Sequence, residues 1–142
     1  MLMLLFQVGD SRYALDSAQI ENIIPKIELA PPAGLNQPDA KHLAGLFNYQ
    51  GQLVPVLDLG ILLQGQPSHP SLSTRIALTR CGTDQALLGL MAPGMTAMLQ
   101  INTVERATPT LPTKAYLGDI LMTQRGLIQC IEIAQLPGQQ HF

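Results

Sequence analysis

The chain has 142 residues, with 8 Lys and Arg against 10 Asp and Glu for a net charge of −2. That length buries a core without a metal or disulfide staple, and the acidic balance excludes the basic footprint of a nucleic-acid binder. Charged residues make up only 13% and hydrophobic ones 46%, so much apolar surface packs inside or against a partner, and three Phe, three Tyr and no Trp leave little for stacking on bases or sugars.

Strand signals dominate from the start. Leu2–Val8 is apolar except at Gln7, Gly9-Asp10-Ser11 supplies a turn, and Arg12–Leu15 resumes, which reads as a β-hairpin. The opening run is too short for a membrane span and no basic residues precede it, so the expectation is a soluble, cytoplasmic protein with no membrane insertion. Asp16 or Ser17 caps a short helix in which Ile20, Ile23 and Ile24 share a face, and Pro25 ends it near Ile24. Lys26–Ala30 alternates as an edge strand does, and Pro31-Pro32-Ala33-Gly34 opens a loop that runs to Pro38.

Leu46–Tyr49, the turn Gln50-Gly51, and Leu53–Leu59 read as strand, tight turn, strand. Pro55 donates nothing to a ladder, so its strand has an open edge or a bulge there. Gln64–Ser73 is a polar, proline-bearing linker between two halves. The second half repeats the rhythm: Ile76–Thr79, a turn over Cys81–Asp84, Ala86–Met91, then a strand over Met95–Ile101 and a loop over Asn102–Thr113. Leu117–Met122 and Leu127–Ile133, joined by Gln124-Arg125-Gly126, close the pattern. The stretches Leu57–Leu62 and Ile131–Leu136, 74 residues apart, are both apolar-acidic-apolar exits from a strand, as two similar β-units give. Around ten short strands punctuated by turns imply an all-β barrel or sandwich.

The chain offers little chemistry. It has no GxSxG, no HExxH, no phosphate-binding glycine loop and no paired metal-ligand spacing, so no catalytic residue, cofactor or metal is expected. Asp58 and Glu132 form a conceivable acid–base pair, but both follow strand ends, where an acid caps the next turn or helix. Cys81 and Cys130 belong to no CxxC motif and read as free thiols of a reducing compartment. Met91, Met95 and Met98 cluster around Pro93-Gly94 and read as core fillers.

Taken in order, these motifs resemble the CheW-like family of chemosensory coupling proteins over nearly the whole chain. Leu5–Gly9 with Tyr13–Asp16 is similar to that family's first hairpin, and Ile20–Ile24 to its short helical segment. Gly45–Leu59 is similar to the family string G-[LIV]-x-N-x-R-G-x-x-[VIL]-P-[VI]-x-D-L. Leu87–Leu90 and Tyr116–Ile120 resemble the second-half strands. The resemblance implies a single domain, 1–142, all-β, with two small five-stranded SH3-like barrels packed on a shared hydrophobic seam. Residues 15–64, with 1–14 and 74–142, are shared between them.

The function implied is a non-catalytic adaptor. It bridges the cytoplasmic tip of a methyl-accepting chemoreceptor to the regulatory domain of a CheA-type histidine kinase, and pseudo-symmetric barrel contacts build rings. A stand-alone module that binds the kinase without a receptor is the alternative. By the same resemblance, receptor contacts fall on Ile20, Gly45, Leu46, Asn48 and Arg75, and kinase contacts near Gln50 and Val56. Where the family has a Glu and an Arg able to pair, this chain has Asn22 and Gln50, an exchange of a salt bridge for neutral amides that predicts the two lie close together. The charges missing at Gln50, Gly60 and Pro93 point to a dedicated surface-sensing, pilus or second-messenger system.

Overall fold

The opening apolar run becomes a strand buried on both faces, and the rest of the architecture follows from that. The structure is a computed structural model that describes residues 1–31, 41–69, 71–82, 84–101, 105–108 and 114–136. In chain order the elements are β1 (Leu2–Val8), β2 (Ser11–Asp16), β3 (Ile20–Pro25), β4 (Leu43–Tyr49), β5 (Gln52–Asp58), α1 (Leu59–Gln64), β6 (Arg75–Cys81) and β7 (Ala86–Ala92). They continue with β8 (Ala97–Gln100), β9 (Glu105–Ala107), β10 (Leu117–Thr123) and β11 (Gly126–Ile131). A six-stranded sheet runs β8-β1-β2-β11-β10-β9 and a five-stranded one β3-β6-β7-β5-β4. The fold is the expected pair of SH3-like barrels, one of them six-stranded rather than five-stranded.

Three cores explain the composition. Met3, Leu5, Ala14, Leu121, Ile128 and Cys130 fill the six-stranded barrel. Phe47, Val54, Val56, Ile76, Leu78 and Met91 fill the five-stranded one. Between them lies the seam, where Leu4, Phe6, Tyr13 and Leu15 from β1 and β2 meet Leu57, Ala77, Leu88 and Leu90. A strand facing an interior on one side and the seam on the other has no polar face, so its sequence is continuously apolar.

The two barrels repeat at 74 residues down to the register. Leu43 pairs with Leu57 and Leu117 with Ile131, and each ladder then shifts at the next pair. β5 runs parallel to β7 with Val56 opposite Gly89, and β11 runs parallel to β2 with Cys130 opposite Ala14. Phe47, Val54 and Val56 of one core stand where Leu121, Ile128 and Cys130 stand in the other.

Several expectations change. Ile20–Ile24 is strand β3, preceded by a 3-10 turn at Ser17–Gln19 that Asp16 caps at 3.0 Å through Ala18 N–H. A bulge between Ile20 and Asn22 adds one residue, so Ile20 and Ile23, three apart, both pack on the seam while Ile24 faces the five-stranded core. A bulged strand thus imitates helical spacing. Lys26–Ala30 is not a strand; only Ala30 is bridged, to Leu46. β5 stops at Asp58 and β11 at Ile131, because a helical turn follows each: α1, and a 3-10 turn at Ile133–Gln135. The expected loop over 102–113 holds β9. The loop 31–38 lies outside the described residues beyond 31.

Pro55 fits its strand without loss. Leu46 sends both its N–H and its C=O to Ala30, so the Leu46–Pro55 pair exchanges no hydrogen bonds, and the β7 ladder begins at the next residue, Val56. The same Ala30–Leu46 bonds, at 2.8 and 2.9 Å, tie the chain after β3 to β4, at the far edge of the sheet, and so close the barrel.

Candidate functional site

The β4–β5 hairpin carries most of the residues singled out in the sequence. Its turn has Gln50 at φ 52° and Gly51 at φ 87°, two positive angles that match the right-handed twist of a tight hairpin. Asn48 fixes it by accepting from Gly51 N–H at 2.9 Å. Gly45 is buried because the closing segment lies directly on it: a Cβ there would sit 2.5 Å from the Ala30 carbonyl oxygen and 2.6 Å from Leu29 Cβ. Leu46 is half-buried beside it, and Asn48 and Gln50 are exposed.

The remaining sequence candidates scatter. Val56 has no exposed surface, so it supports β5 from the core rather than forming part of the outer surface. Ile20 and Arg75 lie at opposite ends of the β3–β6 ladder, opposite Thr79 and Pro25, roughly 14 Å apart along the strand. Arg75 donates to the carbonyls of Leu72 and Thr74 at 2.6 and 2.9 Å. Asn22 donates to Tyr49 Oη at 3.3 Å and accepts from Ile23 N–H, so the bonded partner of its amide is the neighbour of Gln50.

Neither carboxylate of the conceivable acid–base pair is poised for chemistry. Asp58 is 3% exposed, and its oxygens accept from Gly60 N–H at 2.8 Å, Ser68 N–H at 3.0 Å and Ser68 Oγ at 2.6 Å. It therefore caps α1 and holds the 66–68 strap across the helix start. Gly60 is needed under that strap, since a Cβ would meet Ser68 Oγ at 2.7 Å. Glu132, 74 residues on, precedes its 3-10 turn without a side-chain cap and is exposed. Cys81 and Cys130 are free and buried, and burial pushes both thiols above the usual range, away from the reactive thiolate.

The feature the sequence reading missed is a pair of leucines. Leu53 is the second residue of β5 and is 70% exposed; Leu127, 74 residues later, is the second residue of β11 and is 64% exposed. Each stands on the outer face of its hairpin, opposite Asn48 in one and the exposed Met122 in the other. The 74-residue spacing was visible in the strand exits and, carried back along the strands, would have paired them. Each barrel thus presents a leucine knob at an equivalent place.

The family model described as "CheW-like domain" matches residues 2–139. The crystal structure of the scaffolding protein TtCheW from Thermoanaerobacter tengcongensis superposes with a TM-score of 0.77 at 19% identity, over 94% of this chain and 84% of that one. No curated protein sequence gives a significant match.

Proposed function

This chain belongs to the CheW-like domain family, and from that membership we propose that it is a non-catalytic adaptor coupling chemoreceptors to a CheA-type histidine kinase. The observation that carries the reading is the matched pair Leu53 and Leu127. Leucines this exposed, recurring at equivalent places in both barrels and beside the exposed Met122 in one, offer apolar contact points of the kind a protein partner covers. Two such anchors, one per barrel, let a single chain touch two partners of its own fold at once.

The β4–β5 face, with Gln50 at its rim and Val56 holding it from below, takes the kinase regulatory domain. Ile20, Leu46, Asn48 and Arg75 contribute to receptor contact, with Gly45 shaping the strand that presents them. Asn22 and Gln50 act together as the neutral counterpart of a charged pair. Residues 1–142 work as one domain, with 1–14 and 74–142 joined to 15–64 between the barrels. The site of action is the cytoplasmic end of a receptor array, in a dedicated surface-sensing, pilus or second-messenger system.

The test is reconstitution of the full chain with a CheA-type kinase and receptor signalling fragments, scoring phosphorylation. The expected result is receptor-dependent kinase activity only when the chain is present, lost with Leu53→Glu while the variant stays folded. Equal phosphorylation with and without the chain refutes the adaptor. A kinase response that ignores the receptor replaces it with the stand-alone regulatory module.

A further inference from the structure

The two leucine faces share a backbone but not a charge. In the register that places Gly89 opposite Val56 and Ala14 opposite Cys130, Arg12 occupies the position of Leu87. By the 74-residue repeat, Arg125 occupies that of Gly51. Leu87 is buried and fills the end of the five-stranded barrel. Arg12 is exposed, and with Arg125, Leu127, Ile120 and one carboxylate, Asp10, it borders an open groove of about 530 Å³ at the matching end of the six-stranded barrel, where two cations outnumber one anion. A second groove of about 380 Å³, toward Phe6 and Ala97, shares the same two arginines. Arg12 Nη1 donates to the Arg125 carbonyl, which holds its guanidinium over the groove. Among the described residues neither arginine forms an ion pair.

Internal duplication serves as a control here: what both barrels share is required by the fold, and what only one carries is free to serve recognition. We propose that the Leu127 face docks a carboxylate-bearing protein surface, in which an apolar side chain meets Leu127 and Ile120 while acidic groups pair with Arg12 and Arg125. Guanidinium forks recognise carboxylates by paired hydrogen bonds as well as by charge. A second copy of this chain does not fit through its matching face. Around Leu53 that face carries Asn48, with the turn Gln50-Gly51 beside it, and none of these supplies a carboxylate to two arginines. The surplus of positive charge in the groove therefore favours an acidic partner module over the Leu53 face of a second copy. The proposal rests on the adaptor reading and specifies the chemistry of its second contact.

The test uses the full chain carrying Leu53→Glu, so that residual binding to a CheA-type kinase regulatory domain reports the Leu127 face alone. Titration calorimetry is expected to show binding that Leu127→Glu abolishes. The Arg12→Gln/Arg125→Gln double variant should weaken it about 10-fold at 50 mM salt and flatten its salt dependence. Residual binding that needs Leu127 yet ignores both salt and the arginines overturns the inference and leaves the adaptor intact. Self-association that Leu127→Glu abolishes overturns it in favour of a second copy. If the unsubstituted chain does not bind the kinase domain at all, the adaptor reading fails and this inference falls with it.

Discussion

Replacing Asp58 by Ala removes a buried carboxylate that three donors share: Gly60 N–H, Ser68 N–H and Ser68 Oγ, all within 3.0 Å. Loss of a helix N-cap costs about 1 kcal/mol. Bonds from the strap to a charged acceptor are worth about 1.5–3 kcal/mol, and the stranded donors are part-buried. The expected loss is thus about 2.5–4 kcal/mol, with Asp58→Asn in between because an amide oxygen still accepts but carries no charge. Glu132 stands at the equivalent position of the other barrel, exposed and without a cap bond, so Glu132→Ala should change stability by no more than about 0.5 kcal/mol. Urea unfolding followed by far-UV circular dichroism measures both, the chain having no Trp for fluorescence. Equal costs at the two positions, or a loss below about 1 kcal/mol for Asp58→Ala, would show that the carboxylate does not clasp the strap.

Gly45→Ala drives a methyl into the Ala30 carbonyl and Leu29, and should lower stability by about 2–3 kcal/mol, read as a drop in Tm. Gly51→Ala meets nothing within 4 Å and should cost only about 1 kcal/mol for its left-handed φ; similar losses for the two would remove the close-approach argument. Burial disfavours the thiolates of Cys81 and Cys130, so their folded pKa values lie above the ordinary 9.0. The unfolded chain ionises first, and stability that is full below pH 9 should fall as pH rises through the folded values. Cys81→Ala should flatten that fall, and a thiol reagent at neutral pH should label the native chain far more slowly than the unfolded one.

Local pattern carried the hairpins, because a turn glycine and an apolar run act within a few residues. Gly9-Asp10 and Gln50-Gly51 fall where the turns fall, while Ser11 already belongs to β2. It misread Ile20–Ile24, where a bulge gives a strand the spacing of a helix, and it missed β9, whose three residues carry too little pattern to stand out. The long ordered string Gly45–Leu59 named the family, and each of its glycines and its asparagine has a steric or hydrogen-bonding duty in the hairpin.

Taken alone, the order of residues determined the strands, most of the turns, the doubling at 74 residues and the kinship. Only the folded barrels decided which leucines remain in water. Leu53 and Val54 are both plain apolar residues in the sequence, yet one is 70% exposed and the other has no exposed surface. Alternation along a strand assigns the two side chains to opposite faces, but which face is covered depends on what a distant segment places against it. The same holds for Arg12 and Leu87, equivalent positions that become an open, charged mouth in one barrel and a sealed end in the other.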